Sequence, residues 1–314
     1  MTTTAFYVPA KFKTMLDNMN LLDRFLFNET VEDPEVYRII VEIILGENIS
    51  TFTQTETEKE LGISPQLKQI RLDVFGTNEE GDIFQMEMQK RNTYNLPKRS
   101  RIYQAQIDVT LLEPGCKDYN KLNDLTTILI APFDIFGYGL YRYTFEEHCL
   151  EIPELKLGDG SRRIFINTKG NNPEKFSQEF LDLMEYINHS TDVIAHKSNS
   201  NKIQQIHQRV CTVRALEKTG VKFMQWWEEK AYAREEGWSE GHEEGLTKGI
   251  AEGELALLVR MVCRKFSKGL SPEQIADHLE TDIEQIVKIC NVASSYAPDY
   301  DTERIVNELM NKTE

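Results

Sequence analysis

Apolar residues between positions 21 and 45 recur at helical spacing, and Glu32-Asp33-Pro34 marks a helix start ahead of Val36, Ile39, Ile40, Ile43 and Ile44. Gly46 marks the stop, so this stretch predicts two helices. Residues 49–57 are rich in threonine and predict an extended segment; residues 58–68 predict a connection with a turn at Gly62 and Pro65. The period changes to two in the short runs 71–75 and 83–90, and the intervening Gly76-Thr-Asn-Glu-Glu-Gly81-Asp82 is turn chemistry, which predicts a β-hairpin. A basic loop follows at 91–97, then helical periodicity over 98–112 ending before Pro114-Gly115. The apolar run 125–132 predicts a buried strand, with further strands at 140–145 and 163–167 and a helix over 174–186.

The sequence 188–202 is polar enough to end a domain, and helical periodicity resumes over 203–232. Glycine then stands at every fourth position, at Gly237, Gly241, Gly245, Gly249 and Gly253. Each interior glycine costs a helix about 1 kcal/mol relative to alanine, so this stretch predicts a helix that needs a partner or remains mobile. Positions four apart drift about 40° around a helix, so the glycines form a spiral stripe. That stripe suits either a close contact between copies of the chain or an acidic spacer. Ser271-Pro272-Glu273-Gln274 and Thr281-Asp282-Ile283-Glu284 predict two further helix starts and a small helical hairpin. Asp277, Glu280, Asp282 and Glu284 make this hairpin a poor phosphate binder and favour a protein contact. The expected organisation is an α/β catalytic domain at 1–200, a helical linker at 201–254, and a small helical module at 255–314.

Composition narrows the class. With 36 basic and 51 acidic residues the net charge is −15, so nucleic acid must be met through a local basic patch rather than the whole surface. The five cysteines form no CxxC pair and signal neither a disulfide framework nor a zinc knuckle. The N-terminal residues lack the pattern of a secretory leader, and no apolar run has the length of a membrane span, so a cytoplasmic protein with no membrane partner is expected.

Chemistry concentrates on the hairpin. In residues 83–89 strand alternation puts Phe84, Met86 and Met88 on one face and Gln85, Glu87 and Gln89 on the other. Folding about the turn brings Asp73 to the Glu87 region. Converging carboxylates repel unless a cation lies between them, and oxygen-only ligands suit Mg²⁺. Paired acids on a strand are otherwise commonly just solvated. Lys90, Arg91, Lys98, Arg99 and Arg101 form a run without an acid, with Tyr94 inside it and Tyr103 just beyond, and supply candidate DNA contacts. His148, His189 and His207 show no ligand spacing and are assigned structural or surface roles; Trp226-Trp227 is assigned to packing.

The stretch Arg71-Leu72-Asp73-Val74, the turn, and Glu87-Met88-Gln89 resembles the Asp…Glu-x-Gln signature of the recombination-promoting nuclease and transposase-like family, a branch of the PD-(D/E)xK superfamily. Further similar motifs are Leu96-Pro-Lys-Arg-Ser-Arg-Ile-Tyr103, Phe133-Asp-Ile-Phe-Gly137, Leu157-Gly-Asp-Gly160 and Phe165-Ile-Asn-Thr-Lys-Gly170, together with the glycine-repeat tail. The resemblance implies a restriction-endonuclease-like α/β core, a mixed central sheet flanked by helices, followed by a C-terminal helical tail. It also implies Mg²⁺-dependent DNA cleavage linked to recombination or mobile elements. Asp73 and Glu87 would hold the metal, and Gln89 stands where the superfamily at large has lysine. Glu42 corresponds to the helical acid that some of these nucleases add; its other reading is a solvated glutamate on a helix face. A neutral amide can orient water but brings no charge, so either some of the charge comes from elsewhere, with Lys90, Arg99 and Arg101 as candidates and Lys169 more remote, or activity is reduced. The rival expectation is a nuclease-fold protein that no longer cuts and serves as a DNA-binding or protein-interaction module.

Overall fold

The computed structural model describes residues 8–61, 70–112 and 115–311. The predicted turn at Gly62 and Pro65, Pro114, and the N-terminal leader reading lie outside the described residues. Helices α1 (Ala10–Asp17), α2 (Arg24–Val31) and α3 (Pro34–Leu45) precede strands β1 (Phe52–Leu61), β2 (Ile70–Asn78) and β3 (Ile83–Met88). After α4 (Leu96–Leu111) come β4 (Leu125–Ala131), β5 (Arg142–Phe145) and β6 (Ser161–Asn167), then α5 (Gln178–Asn188), α6 (Asp192–Lys197) and α7 (Asn201–Ala215). The chain continues with α8 (Glu217–Phe266), α9 (Pro272–Leu279), α10 (Ile283–Ser294) and α11 (Thr302–Asn311).

Local signals set the ends of α3. The Asp33 side chain accepts from the Glu35 and Val36 N–H groups, Pro34 fills the first turn, and Gly46 closes the helix at φ 76°. Only glycine adopts that left-handed conformation without steric cost.

The six strands form one mixed sheet in the order β1-β2-β3-β4-β6-β5. The pairs β1–β2, β2–β3 and β5–β6 are antiparallel; β3–β4 and β4–β6 are parallel. A parallel neighbour for β3 requires a crossover, and α4 provides it. One face of the sheet carries Val74, Phe84, Met86, Met88, Ile128, Ile130, Ile164 and Ile166 into the main core with residues of α2, α3, α5 and α7. The α4 side packs Tyr103 and Ile107 against Phe75, Ile83 and Leu125. The mixed sheet between helices is the α/β core that the sequence predicts.

Strand β1 runs through Leu61, so the predicted connection at 58–68 begins as ladder-paired strand. Residues 188–202 include the short helix α6. Contacts divide the chain between Trp226 and Trp227. The first unit therefore extends beyond the predicted boundary at 200, because Ile203, Ile206, Val210 and Val213 of α7 lie in the main core. Trp226 packs, its ring 5.6 Å from that of Phe25 and 5.9 Å from that of Phe223.

In the second unit, Val259, Val262 and Cys263 share a core with Ile275, Ile286, Ile289, Cys290, Ile305 and Val306. The expected hairpin is thus completed by a third helix, α11, and by the end of α8. The predicted capping box at Ser271 and Gln274 is present. At the next start Asp282, rather than Thr281, caps, accepting from Gln285 N–H at 3.1 Å. The glycine repeat is helical throughout, and a methyl group on any of the five glycines would meet nothing within 4 Å.

Gly76 is different. A Cβ there would stand 2.7 Å from Tyr37 Cε1 and 3.0 Å from Phe52, and Tyr37 is itself fixed by donating from its hydroxyl to the Phe84 carbonyl at 2.9 Å. Gly76→Ala is expected to lower stability by about 1–3 kcal/mol, the scale of overpacking, as read by urea unfolding. An unchanged midpoint would show that the two rings yield freely.

Candidate active site

The hairpin places its acids through strand register. The β2–β3 ladder ends at the pair Val74 and Met86, and the next residues along are Asp73 and Glu87. The Asp73 Oδ2 atom accepts from Met88 N–H at 3.2 Å, so the carboxylate is turned toward β3. On the other side of β2, Glu58 lies between the pairs Thr57–Val74 and Lys59–Leu72, and so stands across from Asp73. Three acids from three adjacent strands therefore form a row. Glu58 has φ 54°, a left-handed conformation uncommon for a residue with a side chain, and such strain concentrates at functional sites.

Two arginines answer the charge. Arg24 of α2 places Nε 2.5 Å from Asp73 Oδ1 and 3.9 Å from Glu58 Oε1. Arg99, in the first turn of α4, places Nη2 2.5 Å from Glu87 Oε1 and also donates to Gln89 Oε1. Asn28 of α2 donates to Glu58 at 3.4 Å, and its side-chain Oδ1 is buried without a hydrogen-bond partner among the described residues.

Asp73 and Glu87 are both buried. Burial pushes the Asp73 carboxyl up to about 6 against the pull of Arg24 and the Met88 N–H. Burial, then the neighbouring Asp73, pushes Glu87 up to about 7, opposed by Arg99 and Arg24. Such raised values in a paired-acid site are a recognised mark of function. Glu87 Oε2 is buried and has no hydrogen-bond partner among the described residues. That orphaned carboxyl oxygen, beside a second carboxyl group, fits a divalent cation: Asp73 and Glu87 would hold it once ionised, and an all-oxygen donor set selects a hard ion.

Gln89 joins the site by its amide oxygen, while its amide nitrogen donates to the Arg91 carbonyl at 2.5 Å. The charge missing from the lysine position is present next to it as Arg99. The alternation of β3 separates its faces as predicted, yet α4 covers the polar face as well, and Gln85 is fully buried with neither amide atom partnered. Unsatisfied buried amides cost stability, so folding alone does not account for this strip.

Other sequence-predicted residues lie elsewhere. Glu42 is buried, but its partners are Arg38, the Lys202 amine at 2.9 Å and the Ile49 N–H at 3.2 Å, none of them shared with Asp73 or Glu87. Tyr103 was expected at a DNA contact; its ring is in the core beneath Arg99, whose guanidinium carbon is 5.7 Å from the ring centroid. The helical face that positions Arg99 over the sheet turns Tyr103 inward. Lys90, Arg91, Lys98 and Arg101 are exposed, and the Lys90 amine lies 2.7 Å from Asp23. Lys169 is exposed on the turn after β6.

Sequence reasoning missed Arg24, Asn28 and Glu58. The signal for Glu58 was the alternation Glu56, Glu58, Glu60, which continues the strand period past 57. Arg24 and Asn28 stand within the apolar stretch of α2, where a polar residue on a buried face marks a partner elsewhere.

Among curated proteins and among solved structures nothing matches this chain. Residues 23–152 match the family described as PD-(D/E)XK nuclease family transposase. That segment runs from the residue before Arg24, through β1, β2, β3 and α4, to beyond β5, and so contains every side chain of the acid row and both arginines. Over residues 23–152 the chain is thus similar to the PD-(D/E)XK nuclease family transposases.

Proposed function

We propose that this chain is a Mg²⁺-dependent DNA endonuclease that hydrolyses phosphodiester bonds by attack of water, in the service of recombination or a mobile element. The observation that carries the reading is the buried pair Asp73 and Glu87, with one carboxylate oxygen unpartnered, inside the nuclease-family segment. A divalent cation bound there would offset phosphate charge and acidify the attacking water. Asp73 and Glu87 bind and orient it, and Glu58 adds a third negative charge at the rim. Gln89, held by Arg99 and the Arg91 carbonyl, presents an amide that orients water without acting as a base. Arg99 and Arg24 place positive charge beside the phosphate oxygens, on which negative charge develops in the transition state. Lys90, Arg91, Lys98 and Arg101 form the exposed phosphate-contacting patch.

A second reading has its own observation: Arg24 and Arg99 already neutralise one oxygen of each carboxylate. A chain that kept this arrangement in the presence of metal would be a non-cutting module for binding DNA or protein. Plasmid nicking with Mg²⁺ separates the two. Asp73→Ala and Glu87→Ala are each expected to lower the rate by roughly a hundredfold to a thousandfold, the scale for losing one electrostatic stabiliser. Glu58→Ala is expected to lower it less. Equal nicking by wild type and all variants would sink the catalytic assignment.

The raised acids set a pH dependence. Their ordinary values are 3.8 and 4.5, so the folded metal-free chain keeps protons that the unfolded chain has already released. Its stability therefore falls as pH rises from about 4 to about 7. Metal binding requires the ionised pair, so stabilisation by Mg²⁺ should grow as pH rises through about 6 to 7 and level off above. Thermal unfolding across pH, with and without Mg²⁺, checks both slopes. A Mg²⁺ shift independent of pH would remove these carboxylates as ligands.

The tail is proposed as the contact between copies of the chain. Leu246, Ile250, Leu257 and Met261 of α8 are exposed apolar residues at spacings of four and seven, alongside the uncovered glycines. Removing residues 237–314 is expected to leave the remaining chain monomeric in sedimentation. An unchanged oligomeric state would refute the tail as the contact.

A further inference from the structure

Residues four apart on a helix share a face, and two such pairs flank the turn between α6 and α7: Asp192 with His196, and His207 with Cys211. The fold brings three of the four together. His207 Nε2 lies 3.2 Å from Asp192 Oδ1 and 3.5 Å from Cys211 Sγ, and one donor atom from each of the three residues lies within 4.8 Å of the other two. A tetrahedral zinc ion with bonds of about 2.0 Å to nitrogen and oxygen and about 2.3 Å to sulfur has edges of about 3.3 Å between nitrogen and oxygen and about 3.5 Å between nitrogen and sulfur. The two separations from His207 Nε2 match those edges, and the oxygen–sulfur edge lies within 4.8 Å.

The surroundings are those of a ligand set. Tyr186 of α5, a fully buried residue, places its hydroxyl 2.9 Å from His207 Nδ1. Metal-binding imidazoles ligate through one nitrogen while the other is held by an oxygen that fixes the ring, and Tyr186 holds Nδ1 in that way. The hydroxyl rotates to suit. Without metal it donates to Nδ1 and His207 Nε2–H donates to Asp192; with metal, Nδ1–H donates to the hydroxyl and Nε2 is free to ligate. His207 is buried, whereas Asp192 and Cys211 are exposed, so an ion reaches the site from solvent. Burial also lowers the His207 pKa and favours the neutral, ligating ring. His196 and Arg214 are the nearby groups that oppose a cation. The Arg214 guanidinium is engaged with the Met19 and Ser190 carbonyls at 2.6 and 3.0 Å, and His196 Nδ1 is 2.6 Å from the Asp192 carbonyl.

We propose that Asp192, His207 and Cys211 form a zinc site that staples α6 to α7, with water in the fourth position. The mixed nitrogen, sulfur and oxygen donors favour Zn²⁺ over the hard ion suited to the acid row, so the two sites take different metals. Binding at Cys211 releases the thiol proton to solvent as the sulfur becomes a thiolate ligand.

The test uses the full chain carrying Asp73→Ala and Glu87→Ala, which removes binding at the acid row and makes the outcome independent of nuclease activity. After chelation, Co²⁺ is titrated as a spectroscopic probe. One equivalent per chain is expected to produce a near-ultraviolet thiolate-to-cobalt charge-transfer band and the intense visible bands of tetrahedral cobalt, both abolished by stoichiometric Zn²⁺. Cys211→Ser, at an exposed position that leaves the fold intact, should remove the charge-transfer band. Tyr186→Phe should keep the band and weaken Zn²⁺ binding by about 10–100-fold, the scale for an outer hydrogen-bond partner. His207→Ala should abolish binding, with circular dichroism confirming the fold. Absence of the charge-transfer band, or its persistence in Cys211→Ser, would overturn the site.

Discussion

Two carboxylates buried side by side are costly for a fold to keep, and in this protein the surrounding structure is arranged about that cost. Removing a charge from water costs several kcal/mol even after relaxation, and a like charge nearby adds to it. Asp73 and Glu87 sit on adjacent antiparallel strands, with Glu58 on the strand beyond. Arg24 comes to them from α2 and Arg99 from α4, so helices on two sides of the sheet are tied to one set of acids. Even so, both acids remain above their ordinary range and Glu87 Oε2 has no partner among the described residues. The protein alone does not satisfy the site, whereas a cation would.

Helix α4 links the core to that chemistry. Its inner face packs Tyr103 and Ile107 against the sheet, which determines where its first turn lies and so directs Arg99 at Glu87 and Gln89. Lys98 and Arg101, on the same turn, point to solvent. A single helix start thus supplies both a half-buried cation beside Glu87 and Gln89 and exposed cations on the neighbouring surface. In a chain of net charge −15 this division is what concentrates positive charge at one place.

The second unit follows different physics. Its small core draws on the last turns of α8 and on α9, α10 and α11. The glycine-rich part of α8 contributes no buried side chain, and a methyl group on its glycines would meet no neighbour within 4 Å among the described residues. A helix with so many glycines gains little from propensity, and the exposed Leu246, Ile250 and Leu257 offer the apolar surface that a partner would bury.

Local rules made the hairpin, the cap and stop of α3, the capping box at Ser271 and the pairing of Asp73 with Glu87 readable from the sequence, because each depends on residues a few positions apart or on the two-residue period of a strand. Family resemblance added the α/β core and its likeness to nucleases. Position along the chain does not encode which distant side chains meet. Arg24 and Glu58 reach Asp73 only once α2 and β1 are packed on the sheet, and Glu42 pairs with Lys202 only because α7 returns to α3. His207 is read from the sequence as structural or surface because, although Cys211 stands four residues along the same helix, Tyr186 and Asp192 reach it from the two preceding helices. The sequence by itself determined the acids and the strands that carry them, through local periodicity. Tertiary packing alone decided their counter-charges, because a buried ion pair is made by whatever the fold brings within reach.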